Sequence, residues 1–226
     1  MKVSKAKFKN NSANYSIFIG LGAIKHLKKQ IGLVCPGTKK VALIFDKKIP
    51  NRLKNKVKQQ IKSYEVHVYE YSVNEKLKSF KKANHLNESL LKKNFNRNDI
   101  IIAVGGGVIG DFAGFVASIL KRGINFINLP STLLSQVDAS IGGKTGINSK
   151  KGKNLIGTFH QPKLVISEIE FLKSLPRREI ICGFAEILKH ALICDKKFFS
   201  WIEKNTKKII NDRDSATINS AIFKSC

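Results

Sequence analysis

The residues between positions 105 and 154 hold most of the chemistry available to this chain. Gly105-Gly106-Gly107 follows the apolar run Ile100-Ile101-Ile102-Ala103-Val104 and leads through Val108, Ile109 and Gly110 to Asp111. Glycines between a strand and a helix let backbone N–H groups approach a phosphate, and the helix N-terminus adds favourable dipole charge. The spacing is not GxGxxG in the usual dinucleotide register. Asp111 has two readings: a helix cap, or a carboxylate holding a hydroxyl of a cofactor or substrate. Ser131 and Thr132 add two hydroxyls. Asp138, Lys144, Lys153 and Asn154 add a carboxylate, two ammonium groups and an amide within a glycine-rich setting. Lysine is a point charge suited to phosphate and carboxylate. The whole block suits a phosphate-rich cofactor beside an anionic substrate. Gly142-Gly143-Lys144-Thr145 lacks the glycine spacing of a P-loop.

Two outlying groups have less specific spacing. Glu75-Lys76-Leu77-Lys78 sets a carboxylate and an ammonium three residues apart at a helix start. A helix-surface ion pair accounts for that spacing, and a Glu accepting ribose hydroxyls accounts for it equally. Glu186 and His190, four apart, share a helix face. They read either as a surface pair or as two donors for a divalent metal, and two ligands do not make a secure site. His26, His67, His85 and His160 show no ligand spacing.

The surrounding pattern supplies elements to carry these groups. Short strands are expected at 15–19, 41–45, 66–71, 100–104 and 126–129. Helices are expected at 21–31, around Leu53, Val57 and Ile61, at 77–95, and at 109–120. In the 77–95 helix, Phe80, Ala83, Leu86, Leu90 and Leu91 should face inward. The alternation predicts an α/β fold: a Rossmann-like, mostly parallel sheet with helices on both faces. Asp46, the segment around Glu75, the triple glycine and Ser131-Thr132 each follow an expected strand. Such sheets bind ligands beyond the carboxyl ends of their strands, so these residues should converge on one rim. After Pro176 strand signals stop, and 177–193 and 198–210 read as helices. The organisation expected is an α/β domain over 1–175, then the beginning of an incomplete helical domain over 176–226.

The chain has 226 residues and a formal net charge of +25. Such charge raises the question of a nucleic-acid or acidic-membrane partner. The lysines are spread along the chain, without zinc-finger spacing or an aromatic-studded RNA-binding signature, so a solvated lysine surface is the expectation. Neither a specific nucleic acid nor a membrane is expected as a partner. The stretch 100–120 is apolar enough to imitate a membrane span, but its glycines and Asp111 read as strand, turn and buried helix. Four cysteines form no CxxC pair, which fits a reduced, cytoplasmic setting. The basic segment from Met1 to Lys5 has no apolar run behind it and does not read as a signal peptide.

Taken together, the runs 105–111, 130–148, 152–157 and 183–189 resemble the N-terminal part of the 3-dehydroquinate synthase family. The match is dense from about 98 to 195 and thinner elsewhere. The resemblance implies a shikimate-pathway lyase using NAD and a divalent metal, zinc or cobalt. It would convert 3-deoxy-D-arabino-heptulosonate 7-phosphate, a phosphorylated sugar acid, to 3-dehydroquinate and phosphate. By the same resemblance, Asp46, Val73, Asn74, Glu75, Lys76, Leu77 and Lys78 contact NAD, and Gly107, Val108, Ile109, Gly110 and Asp111 receive the pyrophosphate and nearby groups. Ser131 and Thr132 match a Thr-Thr pair. Phe171, Leu172, Lys173 and Ser174 match a further cofactor segment, with serine in place of threonine. Lys144 and Lys153 lie near cofactor and substrate, while Asp138, Asn154 and Lys189 face the substrate. Glu186 matches the first metal ligand, and His190 matches none.

The family's two histidine ligands and its later His-Gly-Glu motif have no counterpart here. The expectation is therefore a truncated member holding at best a cofactor half-site, with exposed helix faces and a homodimer as a possible assembly. A related sugar-phosphate cyclase, a polyol dehydrogenase, a non-catalytic remnant and a basic nucleic-acid-binding protein are the competing readings.

Overall fold

The computed structural model describes residues 3–10 and 13–226, so Met1 and Lys2 of the basic N-terminal segment lie outside the described residues. Apolar runs that are buried on both faces build the centre of the molecule. β3 (Lys40–Asp46) and β5 (Ile100–Gly105) are almost wholly buried, as parallel strands covered on both faces are. They join β1 (Ser4–Lys9), β2 (Asn14–Gly20), β4 (Glu65–Tyr71), β6 (Asn125–Pro130) and β9 (Leu164–Glu168) in a seven-stranded sheet of order β1-β2-β9-β6-β5-β3-β4. Every pairing is parallel except β1 with β2.

Alternate residues of these strands feed two cores. Val41, Leu43, Phe45, Ile100, Ile102 and Val104 face α1 (Leu27–Val34) and α2 (Asn51–Gln60). Ala42, Ile44, Ile101 and Ala103 face α3 (Phe80–Lys92) and α4 (Gly107–Ile119). A third core packs Ile17, Ile19 and Val165 against α5 (Arg177–Cys194), α6 (Lys196–Ile210) and α7 (Ser215–Ser225). The expected α/β sheet with helices on both faces is present, followed by a helical part. Among the described residues no helix is long and apolar enough to cross a membrane.

Three expectations change. The helix expected over 77–95 is divided. A 3-10 turn spans Glu75–Leu77, and α3 starts afresh at Phe80, with Ser79 accepting from Lys82 N–H at 3.4 Å. Ala83, Leu86 and Leu90 are buried as expected, but Phe80 and Leu91 are exposed: Phe80 opens the first turn of α3, edge-on to Phe115, and Leu91 lies in its last turn. The segment read as a glycine- and polar-rich stretch forms an antiparallel hairpin, β7 (Lys144–Ser149) with β8 (Gly152–Phe159). β1 and β9 were also absent from the expected strand set.

Candidate functional site

The strand order reverses between β3 and β5. The chain steps outward from β3 to β4, then returns to the other side of β3 and continues through β5, β6 and β9. A crevice opens at the carboxyl ends of strands at such a switch point. A cavity of about 510 Å³ lies there, within the range of roughly 300–1,000 Å³ usual for small-molecule sites. Asp46 ends β3, Val73 and Glu75 follow β4, and Gly106, Gly107 and Val108 follow β5. Ser131 and Thr132 follow β6, and Phe171 and Ser174 follow β9. The expected convergence on one rim is what the sheet produces.

The floor of this cavity is the turn from β5 into α4. A Cβ on Gly105 would sit 2.6 Å from Ile109 Cβ, so only glycine lets the helix begin this close to the strand. Gly106 occupies the cap position and offers no side chain to it. Ile109 and Gly110 N–H both donate to Gly106 O at 3.1 Å, so it is the Gly107 and Val108 N–H groups at the start of α4 that are placed to meet an anion. Asp111 lies inside α4 rather than at its cap, which removes the capping reading. Ser131 N–H donates to Gly105 O at 2.8 Å, and Thr132 Oγ1 shares a 2.8 Å hydrogen bond with Ser135 Oγ. Asp46 accepts from Lys48 N–H at 2.9 Å.

Beside it lies a second cavity of about 570 Å³, lined by Asp138, Ile141, Lys144, Thr158 and Phe159 among others. Asp111 and Asn154 line both cavities. Between them Lys78, only 3% exposed, extends its Nζ to Asp111 Oδ2 at 2.6 Å and to Asn154 Oδ1. The helix-surface pairing of Glu75 with Lys78 does not form: Lys78 pairs with Asp111, and Glu75 accepts from Asn148 Nδ2 at 2.8 Å. Burial raises the Asp111 carboxyl above its ordinary value. Lys78 opposes that rise, while Glu75 and Asp138 add to it.

The hairpin reaches this point because α4 supports it. A Cβ on Gly114 would lie 2.4 Å from Thr145 Cγ2, so the glycine allows β7 to seat directly on the helix. Asn154 has φ 58, in the left-handed region.

The remaining expected residues sit apart from both cavities. Leu77, Ile109, Gly110 and Leu172 are buried in the packing beneath the site. Asn74 caps the 3-10 turn by accepting from Lys76 N–H, and Lys76, Lys153 and Lys173 are exposed outside both linings. On α5, Glu186 Oε1 faces both Lys189 Nζ and His190 Nε2, the latter at 3.2 Å. The hydrogen bond from Lys189 to Glu186 raises the lysine's pKa, and Asp138 adds to the rise. His190 Nδ1 is buried without a partner. Among the described residues no three His, Cys, Asp or Glu side chains converge on a metal position. Glu186 and His190 alone therefore do not amount to a metal site.

Two residues that brace the site from outside its linings were not anticipated. Gln136, fully buried in a π-helical turn (Ser135–Ala139), ties the ends of β6 and β9 through Pro130 O at 3.0 Å and Glu168 O at 3.2 Å. Asn148 joins the hairpin to the loop after β4. A polar amide inside an apolar or turn-forming run is the only signal either gives in sequence.

Comparison with known proteins fits this geometry. A family model described as 3-dehydroquinate synthase N-terminal matches residues 68–182, and its companion, 3-dehydroquinate synthase C-terminal, matches 183–226. The 3-dehydroquinate synthase of Pelagibacter ubique is 50% identical over 229 residues, covering 100% of this chain and 61% of that relative. That of Caulobacter vibrioides is 40% identical over 213 residues, covering 93% and 57%. The chain thus spans about 60% of the length of the curated relatives it matches. Among solved structures, 2-deoxy-scyllo-inosose synthase complexed with carbaglucose-6-phosphate, NAD+ and Co2+ superposes with a TM-score of 0.86 at 24% identity, over 98% of this chain and 62% of that one. A 2-epi-5-epi-valiolone synthase from Streptomyces hygroscopicus with NAD+ and Zn2+ bound gives 0.83 at 23%, over 96% and 61%. These two likenesses are of the fold. The matched models and the identity to curated relatives establish that the chain belongs to the 3-dehydroquinate synthase family.

Proposed function

We propose that this chain forms the NAD-binding part and one wall of the substrate site of an enzyme with 3-dehydroquinate synthase activity. The observation that carries the reading is the shared partition: Asp111 and Asn154 line both cavities, so a cofactor in one and a substrate in the other meet across them. The cavity at the switch point fits NAD. Its capless helix start receives the pyrophosphate, Asp46 and Glu75 accept ribose hydroxyls, and Ser131, Thr132, Phe171 and Ser174 close the far side. NAD, when bound, supplies reversible hydride transfer.

The second cavity suits a phosphorylated sugar acid: Lys144 offers charge to an anion, and Asp138 and Asn154 offer hydrogen bonds to hydroxyls. Asp111, held at a raised pKa by burial, is placed to accept or return a proton at its free oxygen while Lys78 fixes the other. Asp138 orients the substrate and adds its field to both Asp111 and Lys189. The excess of 25 positive charges draws anionic ligands toward the crevice. Residues 1–175 act as the cofactor domain, and 176–226 begin the helical domain that presents Glu186 and Lys189. A divalent metal at Glu186 needs donors beyond those of these residues, and they belong to the additional length of the relatives.

The test is phosphate release from 3-deoxy-D-arabino-heptulosonate 7-phosphate with NAD and zinc or cobalt. It is measured on this chain and on a polypeptide extended to the relatives' length. Release by the extended polypeptide alone supports the reading. Absence of release from the extended polypeptide, correctly folded, sinks it.

A further inference from the structure

The irregular pairing of β7 with β8 isolates one residue, Asn148. The ladder pairs Ile147 with Ile156 and resumes at Ser149 with Gly152, so residues 153–155 stand opposite Asn148 alone. Asn148 bonds to two other segments instead. Its backbone N–H donates to Lys78 O at 2.8 Å. Its Oδ1 accepts from Asn154 N–H at 3.0 Å. Its Nδ2 donates to Glu75 Oε2 at 2.8 Å and lies 3.3 Å from the Glu75 carbonyl oxygen. A carboxamide both donates and accepts, which neither a carboxylate nor an aliphatic side chain does.

The partners it ties together lie on separate elements. Asn154 holds a left-handed backbone, which asparagine adopts more readily than most residues with a side chain. In that conformation Asn154 Oδ1 meets Lys78 Nζ, and Lys78 reaches on to Asp111. Asn148 itself lines neither cavity.

We propose that Asn148 is a positioning residue: one carboxamide fixes Asn154 on the partition and Glu75 on the cofactor rim, so that the hairpin and the loop after β4 hold one geometry. The proposal rests on the NAD reading only for what the cavity holds.

Two substitutions in the full chain separate the two ends of the amide. Asn148→Ala removes both. Asn148→Asp keeps an acceptor for Asn154 N–H and sets a carboxylate against Glu75. Amide hydrogen exchange resolved by residue should rise about tenfold at Asn154 in Asn148→Ala, while the paired amides of β7 and β8 keep their protection. In Asn148→Asp, Asn154 should stay protected. Both variants should weaken NAD binding about tenfold.

Unchanged exchange at Asn154 in Asn148→Ala, or equal loss in Asn148→Asp, overturns the positioning role. So does NAD affinity that is measurable in the parent chain and indifferent to both substitutions. If Asn148→Ala loses the hairpin ladder altogether, Asn148→Asp still decides: an intact ladder with undiminished NAD affinity overturns the proposal. A parent chain that shows the Asn154 exchange pattern but binds no NAD upholds the positioning and removes the cofactor reading.

Discussion

Lys78 is the residue on which the partition depends. A buried ammonium needs a partner, and Asp111 and Asn154 are the ones it has at the cavity wall. Breaking a buried ion pair from one side costs more than the pair contributes, because the other charge stays buried and uncompensated. Asp111 retains 24% side-chain exposure, which lowers that cost. Asp111→Ala is expected to lose about 2–3 kcal/mol of stability in urea unfolding, and adding Lys78→Met should recover part of it. A loss of under about 0.5 kcal/mol would mean the pair is a solvated one. The residues that end or follow strands, Asp46, Glu75, Gly107, Ser131 and Thr132, were legible in sequence because the end of a parallel strand fixes where they go. The contact between Lys78 and Asn154, 76 positions apart, was not. It needs the hairpin, its irregular pairing and a left-handed backbone at one residue.

At the scale of elements, the β7–β8 hairpin brings the second cavity into being, and it was the element least visible in sequence. Gly142, Gly143, Gly146, Gly152 and Gly157 interrupt the alternation that marks a strand, so the segment reads as a loop. β9 was equally hidden, since its apolar run Leu164-Val165-Ile166 gives way after three residues to Ser167 and Glu168. The longer helices and the buried strands were plain, because their apolar period persists over many residues.

The hairpin's exit is pinned by His160. Its backbone N–H donates to Gly143 O at 2.8 Å, and its ring Nε2 lies 2.9 Å from Ile124 O, one residue before β6. Burial lowers its pKa, Lys163 lowers it further, and the bond to Ile124 O opposes them. The net shift is downward, because the imidazolium gains less from donating to that carbonyl than it loses to burial and Lys163. The unfolded chain therefore binds a proton more readily than the folded one. Stability should be full above about pH 6.5 and decline as pH falls from there through the folded pKa. Thermal melts of the parent and His160→Gln between pH 5 and 8 check this, and parallel pH profiles would contradict it.

For the molecule as a whole, strand order is what turns scattered residues into a site. Five strand ends meet at one crevice because β3 and β5 lie side by side while their connections run in opposite directions. That much follows from alternating apolar runs and the usual geometry of parallel sheets. The apolar surface left on α5, at Ile181, Leu192 and Ile193, did not follow in detail, since outward and inward faces of a helix are settled only by what packs against it. The central claim is that the switch-point crevice holds NAD. It is tested most directly by calorimetric titration of NAD into the full chain and its Glu75→Ala variant. One saturable site per chain, weakened about tenfold by the substitution through loss of a charge-assisted hydrogen bond, is the predicted result. No saturable binding, or equal affinity in the two proteins, would contradict it.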